Sequence, residues 1–439
     1  MTWGHMADAD GRLTAFDRRA SPVNIAFNES RRQAALIFIF FTVLIDVLAF
    51  GVIIPVLPHL VQSFVGGDKS QAAVWVGVFS TAFSVVQFFS APIQGALADR
   101  FGRRPVILVS CLGLGVDFVF MALAPDLAWL FVGRMISAVT SASFTTANAY
   151  IADISTPENR AKSFGMIGAA FGIGFILGPG LGGMLGGIDP RAPFWVAAGL
   201  ALVNFLYGLF VLPESLPKER RSASFDWSHA KPGGGFRLIG QYPRIWGLAA
   251  VIFIANFAHY VYPSTFVLFA DARYDWNAQK AGYVLTAVGA VGLIVNVFVV
   301  GRAVKALGER RALLVGLTCG MFGFVIYGLA PQGWMFLLGL PISGLWAMAG
   351  PAAQALVTRQ VGPEVQGRIQ GSLSSLVSLA GMVAPMVFAG AFGFFIGPRA
   401  PVHLPGVAFL IAAVLLGVGV LVGWRYARTP APTADSAAG

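Results

Sequence analysis

The sequence predicts an all-α integral membrane protein of twelve transmembrane helices in two pseudo-two-fold-related six-helix bundles. Three observations carry this reading. Of the 439 residues, 56% are apolar and only 11% are charged, with a mean hydropathy of +0.73, whereas soluble domains run at roughly 45–50% apolar and 25% charged. Apolar stretches near the roughly 20 residues that cross a bilayer recur along the whole chain and leave no room for a large soluble domain. Landmark residues of the first half also return in the second at one constant spacing. A water-soluble globular fold is excluded.

Residues 1–34 are polar and hold five arginines with no apolar core before a cleavage site, so they read as a disordered cytoplasmic tail and not as a signal peptide. The first span, 35–60, carries Asp46 near its centre and ends at Pro55 and Pro58; the second, 74–97, carries Gln87. Spans 105–124 and 127–151 hold Asp117, Arg134 and Asn148, span 164–187 is rich in glycine, and span 192–212 completes the first bundle, 35–212. Residues 213–243 form the one long polar interval, enriched in Pro, Gly, Ser and charge, and read as a linker. The second bundle, 244–424, takes spans 244–270 (Asn256, His259, Tyr260, Tyr262), 279–300 (Asn296), 311–330, 334–357 (Gln354), 370–394 and 403–424, before a C-tail, 425–439.

An even number of spans puts both ends on one side. Lys69, Arg191, Arg273, Lys280 and Arg399 fall in the loops of the other side and Arg134 lies within a span. All remaining Lys and Arg sit on the tails, the linker and the loops that share their side, so both termini are expected in the cytoplasm. The net charge of +10 thus reflects membrane orientation, and basic loops without interleaved aromatics do not suit nucleic acid. Cys111 and Cys319 lie inside apolar runs, which supports neither a disulfide framework nor a cysteine metal site.

The repeat pairs Gly95 with Gly301, Gly102 with Gly308, Arg104 with Arg310, Ala124-Pro125 with Ala330-Pro331, Gly133 with Gly339, Pro157-Glu158 with Pro363-Glu364, Gly165 with Gly371 and Pro179 with Pro385. Each pair differs by 206 positions (301 − 95, 385 − 179). Two like-oriented halves joined by a linker describe a transporter whose site lies between them near the midplane.

The loop after the second span reads Gly95-Ala-Leu-Ala-Asp99-Arg100-Phe-Gly102-Arg103-Arg104-Pro105 and resembles the G-x-L-a-D-R-x-G-R-[RK] loop of the major facilitator superfamily. Its glycines suit a tight turn and close helix approach, and Asp99 suits a helix N-terminus or an arginine. The segment Gly174-Phe-Ile-Leu-Gly178-Pro179-Gly180-Leu-Gly182-Gly183-Met-Leu-Gly186 resembles the G-x-x-x-G-P-x-x-G-G stretch of that superfamily's exporters; its four-residue spacing also makes a stripe on which another helix can rest. Across all twelve spans the chain is similar to the tetracycline/proton antiporters of the drug-exporting branch, notably at Asp46…Ile54-Pro55-Val56-Leu57-Pro58, Val116-Asp117, Gly133-Arg134, Tyr150-Ile-Ala-Asp153-Ile and Gln366-Gly367-Arg-Ile-Gln370-Gly371. Two positions depart: Gly292 stands where those antiporters place a histidine in the eighth span, and Gly320 where they place an acid in the ninth. The departures concentrate the titratable chemistry in the N-terminal half.

An ionised side chain at mid-membrane costs at least about 2.5–3.5 kcal/mol on insertion scales, so Asp46, Asp117 and Arg134 need partners, water or a role. Asp46 can gain or lose a proton as its surroundings change between wet and dry, which is what a proton carrier does. Asp117 and Arg134 lie about seven residues from the same side, roughly 10 Å at the helical rise, and are expected to pair. Gln87, Asn148, Asn256, His259, Tyr260, Asn296 and Gln354 are candidates to line the cavity.

No phosphate loop, H-E-x-x-H or G-x-S-x-G is present, which argues against ATP-driven pumping and enzymatic activity. The expectation is a multi-pass monomer of the bacterial inner membrane that uses the proton gradient and no cofactor. It exports a small hydrophobic organic compound, a tetracycline-like drug among the candidates, while Asp99, Arg103 and Asp153 close the cytoplasmic side. Proton-coupled uptake or uniport of a metabolite on the same fold is the alternative, and a non-transport membrane protein a third.

Overall fold

A computed structural model describes residues 29–140, 143–155, 159–222, 243–361 and 363–427. Helices account for nearly all of them, in the order α1 (Glu29–Phe64), α2 (Lys69–Phe101), α3 (Arg103–Leu123), α4 (Leu127–Thr140 and Ser143–Ile154), α5 (Arg160–Gly186), α6 (Ala192–Val211), α7 (Pro243–His259 and Val261–Tyr274), α8 (Ala278–Ile294, continued to Leu307), α9 (Glu309–Leu329), α10 (Gly333–Leu338 to Ala349–Thr358), α11 (Pro363–Ile396) and α12 (Val407–Tyr426). Among the described residues eleven of these are long and apolar enough to cross a membrane, and α4 supplies the shorter apolar helix Leu127–Thr140. The protein is an integral, multi-pass membrane protein. Span side chains such as Phe210, 83% exposed, and Val414 and Leu421, both 68% exposed, suit a hydrocarbon surround rather than water.

Several boundaries differ from the sequence expectation. Helix α1 starts at Glu29 and not at 35, so residues 29–34 belong to the first helix, and Pro55 and Pro58 lie inside it without breaking it. The rest of the expected N-tail, linker residues 223–242, C-tail residues 428–439 and the Pro157-Glu158 landmark lie outside the described residues. Helix α7 has a turn at Tyr260, whose N–H bonds Phe257 O at 3.1 Å. Pro263 lacks the N–H that would have closed on His259, and it falls in the first turn of the segment that follows, where proline is tolerated. Helix α10 is interrupted by a 3₁₀ turn at Leu345–Met348, and Val295–Val300 of α8 is a π-helical turn.

The repeat is written in the backbone. Gly102 and Gly308 occupy the same α2–α3 and α8–α9 corners with φ of 105° and 77°, a region open to glycine. Each donates its N–H back to a carbonyl one turn earlier, Ala98 and Val304. Ala124 and Ala330 close α3 and α9 with nearly equal dihedrals, and their carbonyls accept from Arg191 at 2.8 Å and Arg273 at 2.7 Å.

The end of the bundle that carries the linker and the α2–α3 and α8–α9 corners is here called the linker face, and the opposite end the far face. The two halves touch toward the far face. A Cβ on Gly183 of α5 would lie 2.7 Å from Ala278 O and 3.1 Å from Gly282 Cα, and one on Gly77 of α2 would lie 2.8 Å from Ala389 Cβ of α11. Thr286 Oγ1 donates to Ile176 O at 2.9 Å, again across the halves. Toward the linker face, Cβ positions on Gly95, Gly165, Gly168, Gly301 and Gly371 would meet nothing within 4 Å. The halves therefore meet at the far face and part at the linker face.

Candidate functional site

A cavity of about 340 Å³ lies between the halves, within the range of drug-sized sites. Helix α1 contributes Val43, Asp46, Val47, Phe50 and Ile53, and α2 contributes Ser80, Phe83, Ser84 and Gln87. Helices α3 and α4 add Ser110, Leu114, Phe118, Arg134, Ser137 and Thr140, and α5 adds Phe171 and Phe175. The C-terminal half closes it with Tyr260, Pro263 and Ser264 of α7 and Pro385 of α11. Helical geometry explains why these residues converge: Ser80, Ser84 and Gln87 recur at i, i+4 and i+7 on α2, and Phe171 and Phe175 at i and i+4 on α5, so each set shares one face.

Two of the three intramembrane charges lie side by side. Arg134 Nη1 lies 3.5 Å from Asp117 Oδ2, and its guanidinium sits 4.3 Å over the Phe83 ring, so a carboxylate and a π-face share its charge. Asp117 is fully buried and its Oδ1 has no hydrogen bond. Arg134 reaches the cavity and Asp117 stands behind it. Asp46 lines the cavity directly and is half-buried. Ser110 and Thr140 hydroxyls donate to Val106 O and Ile136 O, both at 2.9 Å, which leaves their lone pairs to accept from a guest. The walls thus combine aromatic faces, hydroxyls, one acid and one guanidinium.

Of the polar residues expected to line the cavity, Gln87 and Tyr260 do; Asn148, Asn256, His259, Asn296 and Gln354 are not among its walls. Asn256 donates to Ile252 O at 2.8 Å and Asn296 to Gly292 O at 3.1 Å, each one turn back on its own helix. Gln354 is exposed and donates to Gln370 Oε1 at 2.5 Å. His259 packs against the rings of Tyr262 and Trp346, and Asn148 is half-buried on the second segment of α4. The serines and phenylalanines of the walls were missed because such residues are common on any span; their helical spacing was the available signal.

The loop between α2 and α3 is built as a cluster within the N-terminal half. Arg103 pairs with Asp99 at 2.6 Å and with Asp153 at 3.3 Å, and Asp153 also accepts from Ser215 Oγ at 3.1 Å. Glu214 accepts from the backbone N–H of Arg103 at 2.8 Å and of Leu216 at 3.0 Å. Arg104 caps the end of α6 through Leu209 O at 2.7 Å, and Arg100 is exposed beside Phe101. Gly102 is needed here for its φ of 105°, and a Cβ would also push the Glu214 carboxylate out of its place. Gly95, expected at a close helix approach, faces open space because the halves part on this side. The cluster fastens the start of the linker to α2, α3 and α4, and among the described residues its hydrogen bonds and ion pairs stay within the N-terminal half and the linker start.

The glycine segment of α5 serves two interfaces. Gly174, Gly178 and Gly182 face α1, where a Cβ on Gly178 would lie 2.8 Å from Gly51 Cα and one on Gly182 would lie 2.4 Å from Val52 O; Pro179 O and Gly183 face Gly282 of α8. At the two positions that depart from the antiporter pattern, a Cβ on Gly292 would meet open space, whereas one on Gly320 would lie 2.8 Å from Trp346 Cγ and 2.9 Å from Leu416 Cδ1. Packing leaves no room for an acid at Gly320.

The family model described as Major Facilitator Superfamily matches residues 39–385, with a second match at 274–438. The class C tetracycline resistance protein of Escherichia coli is 38% identical over 82% of this chain and 89% of its own length. The class G protein of Vibrio anguillarum is 37% identical over 79% and 88%. A crystal structure of a bacterial homolog to the human lysosomal transporter Spinster superposes with a TM-score of 0.76 at 19% identity, covering 93% of this chain and all of that one. Doubled six-helix halves around a shared cavity, together with a match that runs through both of them, place the chain in the Major Facilitator Superfamily, whose members are transporters and not enzymes.

Proposed function

We propose that the protein is a proton-coupled antiporter that exports a small, largely hydrophobic organic compound, with tetracycline-like drugs as the first class to test. The relatives named for tetracycline resistance support drug efflux. The observation that carries the finer reading is Asp46, a carboxyl group on the wall of a cavity lined mainly by phenylalanine and hydroxyl side chains, between halves that, among the described residues, meet toward the far face and part toward the linker face. A planar, amphiphilic guest fits that wall: its rings meet Phe50, Phe83, Phe118, Phe171 and Phe175, and its oxygens meet Arg134 and the hydroxyls.

In the proposed cycle the linker face is cytoplasmic and the cavity is loaded from there. The halves then rock, the far face opens, the compound leaves, and Asp46 takes a proton from outside that it releases inside on return. Both walls come from one chain, so a monomer suffices. The bacterial inner membrane supplies the gradient this cycle consumes.

Inverted vesicles carrying an acid interior test the reading. Addition of the transported drug dissipates the gradient if protons leave as drug enters the lumen, whereas proton-coupled uptake deepens the acidification or leaves it unchanged. A susceptibility panel of expressing against non-expressing cells chooses the drug. Loss of drug-induced dissipation in Asp46→Asn, inserted at the normal level, supports the carrier role; full-rate exchange with an unchanged proton requirement removes it.

A further inference from the structure

The contact between the halves toward the far face is made mostly by glycine and alanine, with one charged exception. Lys69, the first residue of α2, places Nζ 2.9 Å from Asp271 Oδ2 near the end of α7 and 3.4 Å from the same residue's backbone oxygen. Among the ion pairs of the described residues it is the one that joins the two halves. Asp271 is 14% exposed and Lys69 34%. The next residue, Ser70, donates from Oγ to Gly393 O of α11 at 2.7 Å, so the first turn of α2 grips two helices of the opposite half. Asp68 fixes that turn by accepting from the backbone N–H of Ser70 at 2.8 Å and of Gln71 at 3.1 Å. His59 of α1 lies within charge reach of both Lys69 and Asp271.

This cluster is not part of the cavity. The wall residues of α2 begin at Ser80, eleven positions and roughly 16 Å along the helix from Lys69. Its location gives it a different consequence: no motion that opens the far face can leave Lys69 beside Asp271, whereas opening the linker face leaves the pair untouched. A half-buried pair also attracts more strongly than a fully exposed one, because the effective dielectric between its partners is lower and salt screens them less.

We propose that Lys69 and Asp271 are the latch of the far face, positioning residues that hold the cavity open toward the linker face and separate once in every transport cycle. This rests on the alternating-access reading above. Weakening the latch shifts the population toward the state open at the far face, by the free energy the pair contributes to one state and not the other.

The test uses the full-length chain with Cys111→Ser, Cys319→Ser and the reporter S70C, in right-side-out vesicles. Ser70 is half-buried against Gly393, so an impermeant maleimide labels the reporter slowly from the far face at rest and faster when that face opens. With Lys69 and Asp271 intact, labelling is expected to change on adding the transported drug or an imposed proton gradient; no response to either overturns alternating access itself, and the latch with it. Given that response, Lys69→Gln and Asp271→Asn are each expected to raise the resting labelling rate about threefold to tenfold, and the exchange K69D with D271K to bring it back toward the starting rate. A responsive reporter whose resting rate is unchanged by both single variants overturns the latch alone. Where a single variant fails to insert, the charge-exchanged chain decides: restored insertion with a protected reporter supports the pairing, and an unprotected reporter overturns it.

Discussion

At the scale of single residues, Asp46, Asp117 and Arg134 divide the work by position. Asp46 faces the cavity and Asp117 does not, so the two carboxyl groups have different consequences when neutralised. Asp46→Asn is expected to cut drug-induced proton release at least tenfold with little change in thermal stability, read in vesicles and by melting in detergent. Asp117→Asn or Arg134→Gln alone leaves a buried partner uncompensated, at a cost of about 3–5 kcal/mol. The double variant should recover much of that stability, because the remaining groups are neutral. Melting of the four chains as a cycle measures this; additive losses in the double variant would exclude the pairing as the cause. These three residues were legible in the sequence because a charge inside an apolar span is costly enough to need a reason. Asn256 and Asn296 were not, since an amide on a span can satisfy itself on the carbonyl one turn back, as both do here.

At the scale of elements, α5 shows how one glycine-rich segment carries two kinds of contact. Gly178→Ala would force a Cβ to 2.8 Å from Gly51 Cα and Leu48 O, both backbone-bound, so α1 and α5 must separate; overpacking of this kind costs roughly 1–3 kcal/mol and should lower the melting temperature. Gly183→Ala meets Ala278 O at 2.7 Å across the halves, a contact that the cycle itself breaks. It should therefore leave melting closer to that of the unsubstituted chain and favour opening of the far face, raising the labelling of S70C. The stripe was visible in the sequence, but which glycines face α1 and which face α8 was not. The α2–α3 corner follows the same logic. Gly102→Ala combines a φ of 105° with a collision against Glu214, so the linker start should detach, and limited proteolysis near 213–222 should accelerate several-fold.

At the scale of the whole molecule, the asymmetry between faces is the functional statement. With the far face in contact and the linker face parted, a thiol introduced by Ser84→Cys on the cavity wall should react from the linker face in inverted vesicles and be shielded by the transported drug. Equal reaction from the far face in the resting protein would contradict the closure seen there. The cluster at the linker face fits this state: Arg103 pairs with Asp99 and Asp153, and Asp153 with the linker start through Ser215, while the linker face stands open. The proposed closure of that side requires new partners from the second half.

Composition, the recurrence of span-length apolar stretches and the 206-residue offset determined the membrane class, the doubled architecture and the buried charges, because each reflects a cost that is paid locally: hydrocarbon against water, a turn that only glycine allows, a charge without solvent. Tertiary structure alone decided which spans' faces meet, that Gln87 and Tyr260 but not Gln354 or Asn296 reach the cavity, that Gly320 has no room for an acid, and that Lys69 finds Asp271. Those outcomes depend on how helices distant in the chain pack, within one half at Gly320 against Trp346 and Leu416 and between the halves at Lys69 and in the cavity. A sequence pattern states the period of a helix face, and the partner of that face is set by packing against residues distant in the chain, 202 positions away for Lys69 and Asp271 (271 − 69).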